Sequence, residues 1–103
     1  MQNKVKVFNE EKDCHFKPMP PHARVLDIVS EMGELSKEVL KNTKYGTADF
    51  VVTEDFVMEY GDVLYSLLSL ANEVGIDSVD ALDKAIEKYK SRITKNGNRG
   101  SGR

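Results

Sequence analysis

Four acidic residues fall into two pairs of equal spacing, Glu31 with Glu34 and Glu59 with Asp62. Residues three apart on a helix are neighbours on one face, so each pair would set two carboxylates side by side. Asp27 and Glu38 extend the first stripe by a turn in each direction. A solvated acid on a helix is commonly balanced by Lys or Arg four residues later. Here those positions hold Leu35, Glu38, Val63 and Ser66. Like-charge neighbours destabilise a helix by about 0.2–0.5 kcal/mol per pair, and two pairs facing each other in a partly desolvated groove repel further. Two separate solvated faces are the alternative. Each pair borders a broad apolar face, however, and together they call for a cation between them. Carboxylates from two helices suit a hard divalent ion, Mg²⁺ with Mn²⁺ as the substitute, and leave positions for water or phosphate oxygens. Neither pair contains imidazole or thiolate, which disfavours softer metals. A di-iron bundle would need histidine at position 34 or 62.

A second feature is basic. Lys84, Lys88 and Arg92 recur at i+4 and form one line along a helix. Such a line could receive a polyphosphate or a pyrophosphate leaving group. The competing explanation is that cations gather near a helix C-terminus because the dipole favours them there.

The elements that position these groups are helices. From His22 to about Asn42, apolar residues fall at Val25, Ile28, Val29, Met32, Leu35 and Val39, the recurrence of an amphipathic helix. Pro21 suits its first turn, and Asn42, Thr43 and a Tyr45-Gly46-Thr47 turn end it. A second helix runs from Thr53 or Glu54 to Val74, with Thr53 as N-cap. Its apolar positions cover more than half the circumference, which places it at the centre of a bundle. Gly75 stops it, and Asp77 or Ser78 caps a third helix striped by Val79, Leu82, Ile86, Tyr89 and Ile93. Residues 1–21 carry all three prolines and read as an extended arm, with a short strand or helix at Lys4–Phe8. Residues 95–103 have no apolar side chain and read as a disordered tail. A single domain over 1–94 follows, with the acidic helices at 22–74 and the last helix at 78–94.

At 103 residues the chain can build one modest core. A formal net charge of -2 gives no basic field for nucleic acid. No apolar run is long enough to span a bilayer, and Met1–Asn9 has no signal-peptide core. The single cysteine, Cys14, permits no intramolecular disulfide. The expectation is therefore a cytoplasmic protein with no nucleic-acid or membrane partner.

Glu31-Met32-Gly33-Glu34-Leu35 followed by Glu59-Tyr60-Gly61-Asp62-Val63-Leu64 resembles the Glu-x-x-Glu … Glu-x-x-Asp signature of the MazG-like nucleotide pyrophosphohydrolases. The resemblance runs from about His22 to Arg92 and includes Gly75-Ile76-Asp77 before the last helix. It implies an all-α bundle of three to four helices completed by assembly into a homodimer or homotetramer. It also implies hydrolysis of a (d)NTP to the monophosphate and pyrophosphate, often as house-cleaning of the nucleotide pool. Carried onto this chain, Glu31, Glu34, Glu59 and Asp62 would be the Mg²⁺ ligands, and Lys88 and Arg92 would contact phosphates. Glu34 or Glu38 would act as base. Lys84, His22 and Phe16 are further candidates for contact with substrate, and Phe50, Phe56 and Tyr60 are other aromatic platforms for the nucleobase. The chain departs from many relatives at Ala85 and Tyr89, where Lys and Asn are frequent, and it has no tryptophan. Two other readings remain open: a phosphoribosyl-ATP pyrophosphohydrolase, and a non-catalytic helical interaction module stabilised by metal.

Overall fold

The computed structural model describes residues 1–11 and 19–96. Among them it contains four helices and no strand: α1 (Gln2–Glu11), α2 (Pro21–Asn42), α3 (Glu54–Val74) and α4 (Ser78–Asn96). The fold is all-α. Phe16, His15 and Cys14 lie outside the described residues, as do positions 97–103 of the tail expected from 95, whose first two residues, Lys95 and Asn96, end α4.

Local chemistry sets the helix ends. Pro21 opens α2 where its missing N–H is not needed. Asn42 closes it and clamps the following loop: its amide donates to the Val51 carbonyl at 2.6 Å and accepts from the Val51 N–H at 2.9 Å. Thr53 caps α3 by accepting from the Phe56 N–H at 3.1 Å, with Glu54 and Asp55 at the positive end of the dipole. Gly75 ends α3 at φ 76°, a left-handed conformation that a side chain would strain. Asp77 rather than Ser78 caps α4, accepting from the N–H groups of Val79 and Asp80.

α3 is the central helix, packed against α2 along one side and α1 along another. The buried residues beyond Arg24 all lie on it: Ser66, Leu68, Ser69 and Ala71. Ser66 faces α2, where its hydroxyl donates to Asp27, and Ser69 faces α1, where it accepts from Asn9. The segment expected to be extended apart from a short strand or helix at Lys4–Phe8 carries the ten-residue helix α1, which spans those positions. Polar contacts far apart in sequence hold it. Asn9 accepts from the Tyr65 hydroxyl and donates to Ser69 at 3.2 Å, and Phe8 meets Tyr65 edge to face at 6.1 Å. Gln2 bridges the Ile76 carbonyl and the Ser78 N–H, tying the start of α1 to the α3–α4 turn.

α4 differs from the rest. It packs along none of the other helices, and its whole apolar stripe (Val79, Leu82, Ile86, Tyr89 and Ile93) is exposed. No helix among the described residues is long and apolar enough to cross a membrane.

Candidate metal centre

α2 and α3 run antiparallel, and facing residues step down the pair in register. Arg24 meets Glu73, Asp27 meets Ser66, and Glu31 meets Glu59 and Asp62. At the last of these steps three carboxylates converge. One oxygen from each of Glu31, Glu59 and Asp62 lies within 4.8 Å of the others. Glu31 and Glu59 are half-buried and Asp62 is exposed, so the cluster opens to solvent on one side.

The electrostatics match the crowding. The Glu31 carboxyl is pushed above its ordinary value, first by partial burial and then by the charges of Asp62, Asp27, Glu59 and Glu34. A group in that position is short of positive charge. The donors are all carboxylate oxygens, a set that fits a hard divalent cation, with the open side left for water or an anionic ligand.

Glu34, expected as a fourth ligand, is not one of the three converging acids; it is exposed one turn farther along α2. Its charge is still felt by Glu31. Glu38 lies two turns from Glu31, roughly 10 Å along the axis, where its carboxylate meets Lys41 at 3.5 Å. His22 is exposed on the first turn of α2, nine residues or roughly 13 Å along the axis from Glu31. Phe50, Phe56 and Tyr60 form an edge-to-face and tilted aromatic group at the α2–α3 loop, at 5.0 and 6.5 Å between centroids. Its last member, Tyr60 on α3, follows Glu59 in sequence.

The basic line is not brought to the acids within one chain, because α4 does not pack along α2 or α3. Lys84 pairs with Asp80 at 3.4 Å, Lys88 lies 5.2 Å over the Tyr89 ring, and Arg92 is half-buried.

The sequence reading missed the steps above the cluster. Arg24 is 7% exposed. Its Nε and Nη2 donate to the two oxygens of Glu73 at 3.1 and 2.7 Å, and its Nη1 donates to Asp27 at 3.1 Å. The same Asp27 oxygen accepts from the Ser66 hydroxyl at 2.8 Å. Hydrogen bonds to Glu73 raise the guanidinium pKa despite burial, so Arg24 is a fixed cation inside the helix pair. The available signal was the opposite charge of Arg24 and Asp27 at i, i+3; the partner on α3 had none.

Comparison with known proteins follows the same residues. The chain matches the MazG nucleotide pyrophosphohydrolase domain over residues 20–96, which takes in α2, α3 and α4. It is 37% identical over 90 residues to the uncharacterized protein YpjD of Bacillus subtilis (strain 168), covering 84% of this chain and 77% of that one. No solved structure matches. α1 lies outside the matched domain, whereas every acid of the cluster lies inside it, and on that coverage the chain belongs to the MazG nucleotide pyrophosphohydrolase family.

Proposed function

We propose that the protein is a Mg²⁺-dependent pyrophosphohydrolase that converts a nucleoside triphosphate, (d)NTP, to the monophosphate and pyrophosphate. The observation that carries this reading is the convergence of Glu31, Glu59 and Asp62 from two helices within 4.8 Å. Family membership supports the reaction class. Mg²⁺ is the first candidate and Mn²⁺ the substitute, since three oxygen donors on an open side leave room for waters and phosphate oxygens.

When bound, the ion would neutralise the triphosphate and lower the pKa of a water. Glu31, Glu59 and Asp62 would hold it. Glu34 accepts the proton of the water that attacks the α-phosphorus, as the exposed acid nearest the cluster on α2. Glu38 is the weaker candidate for base because Lys41 engages its carboxylate. The bond from the α-phosphorus to the bridging oxygen breaks, and pyrophosphate departs with that oxygen. Lys88 and Arg92 stabilise its charge, with Lys84 farther along the same line. In this reading they reach the acids from a second copy, since α4 of the same chain does not pack along α2 or α3. A homodimer or homotetramer would supply that geometry and cover the α4 stripe. His22 and Phe16 remain candidates for contact with the substrate.

The test is a panel of ribo- and deoxyribonucleoside triphosphates with phosphoribosyl-ATP included, each assayed for pyrophosphate with Mg²⁺, with Mn²⁺ and with chelator. Metal-dependent pyrophosphate from a triphosphate supports the reading. Release from phosphoribosyl-ATP alone would move the substrate, and stabilisation by metal without release from any nucleotide would leave only a structural module.

A further inference from the structure

The three converging acids come from two separate helices, so their spacing is only as fixed as the register of α2 against α3. Apolar contact between two helices is non-directional and does not by itself fix their register. Something directional must hold it. Along the described part of this interface the directional contacts are those of Arg24 and Ser66. The Arg24 fork grips Glu73, its third donor grips Asp27, and Ser66 reaches Asp27 from α3. Asp27 is one turn from Glu31 on α2, and Ser66 is one turn from Asp62 on α3. The network thus fastens both acid-bearing helices at the step adjacent to the acids.

The fork is directional where a lysine would not be. A guanidinium presents parallel donors in a plane, and matching them to a carboxylate fixes orientation as well as distance. Every buried side-chain polar atom among the described residues has a partner, so a shift of register that breaks one of these bonds leaves a buried group unpaired, which is costly.

We propose that Arg24, acting through Asp27 and Ser66, is a positioning residue that holds Glu31 at the distance from Glu59 and Asp62 that selects Mg²⁺ over larger divalent ions. The inference rests on the proposed metal centre. Its physical basis is the difference between ions. Mg²⁺ demands near-ideal octahedral geometry at about 2.0–2.1 Å, whereas Ca²⁺ accepts irregular shells at about 2.3–2.6 Å. A loosened register therefore penalises Mg²⁺ more than Ca²⁺.

The experiment uses the full chain without nucleotide. Mn²⁺ is titrated into metal-free protein, the free ion is read by electron paramagnetic resonance, and bound Mn²⁺ is displaced with Mg²⁺ or with Ca²⁺. Arg24→Lys keeps the charge and removes the fork. The expected result is a Mg²⁺ affinity lowered about 10-fold or more, the scale for loss of a group that orients metal ligands, with Ca²⁺ affinity changed less. Ser66→Ala, which leaves the fork intact, should shift the ratio in the same direction by a smaller factor, and it decides the matter if Arg24→Lys does not fold. Parallel changes for both ions, or no change, would overturn the positioning role and leave the metal centre standing. Absence of Mn²⁺ binding by the unmodified chain would overturn the metal centre and this inference with it.

Discussion

Arg24 of α2 and Glu73 of α3 meet as a two-pronged ion pair, with hydrogen bonds of 3.1 and 2.7 Å, in a place where the arginine is 7% exposed. Breaking a buried pair from one side leaves a charge without its partner and costs about 3–5 kcal/mol. Arg24→Ala should therefore lower the unfolding free energy by about 3 kcal/mol or more, read from denaturant midpoints at constant slope. Replacing both partners by apolar residues of similar volume should cost less than the single change. If Arg24→Met combined with Glu73→Leu is as damaging as Arg24→Ala, the pair contributes more than the mutual cancellation of two buried charges.

The raised Glu31 carboxyl gives stability a pH dependence in the metal-free protein. Its folded pKa lies above the ordinary value of 4.5, so the folded state holds that proton more tightly than the unfolded chain. The sign follows directly. Ionising Glu31 costs folding free energy; the penalty is absent below about pH 4.5 and fully present above the folded pKa. Glu31→Gln should raise the melting temperature at pH 7 without divalent ion, and the gain should fade as pH falls toward 4.5. With saturating Mg²⁺ the order should reverse, because only the unmodified chain keeps the full ligand set. A melting temperature for Glu31→Gln below that of the parent in chelator at pH 7 would show that burial and the neighbouring acids do not burden this group.

Much of this arrangement is legible in the sequence because it is local. The Thr53 cap, the Gly75 stop and the apolar recurrence of α2 and α3 are written within a few residues of where they act, and α3 lies at the centre as its broad apolar face requires. The i, i+3 spacing places Glu31 beside Glu34 and Glu59 beside Asp62. It does not say which acid of each pair faces the other helix. That depends on the rotation of α2 against α3, which the non-local contacts of Arg24 and Ser66 help set, and it brings Glu31 to Glu59 and Asp62 while Glu34 stays outside. α1 was legible only as a short strand or helix at Lys4–Phe8, for a related reason. Its polar sequence carries little helix signal of its own, and it is held by Asn9 and Gln2 through partners more than fifty positions away.

Glu59→Gln and Asp62→Asn should each abolish Mg²⁺-dependent turnover while leaving the helical circular dichroism intact, since both side chains project from a capped helix into the cluster. Glu34→Gln separates two roles. As base outside the tight trio, it should lose turnover by about 10²-fold or more yet still bind Mn²⁺ nearly as the parent does. Equal loss of Mn²⁺ binding in Glu34→Gln would make Glu34 a ligand instead. Full activity in Glu59→Gln or Asp62→Asn would remove the cluster from the chemistry altogether.

The α4 stripe gives the last expectation. Val79, Leu82, Ile86, Tyr89 and Ile93 are 41–70% exposed along one face, a continuous apolar surface of the kind that marks an interface. The described core, with only Leu68 and Ala71 buried among its apolar residues, is small for a chain of this length. Light scattering after size exclusion should give a mass of two or four times 11.6 kDa. Ile86→Glu places a charge in the middle of the stripe and should shift the protein toward the single-chain mass. If α4 of a second copy delivers Lys88 and Arg92 to the acids, that variant should lose turnover in step with assembly and regain part of it at higher protein concentration. A monomeric parent with full activity would sever the link between the stripe and the site, and would require the phosphate contacts to come from within one chain.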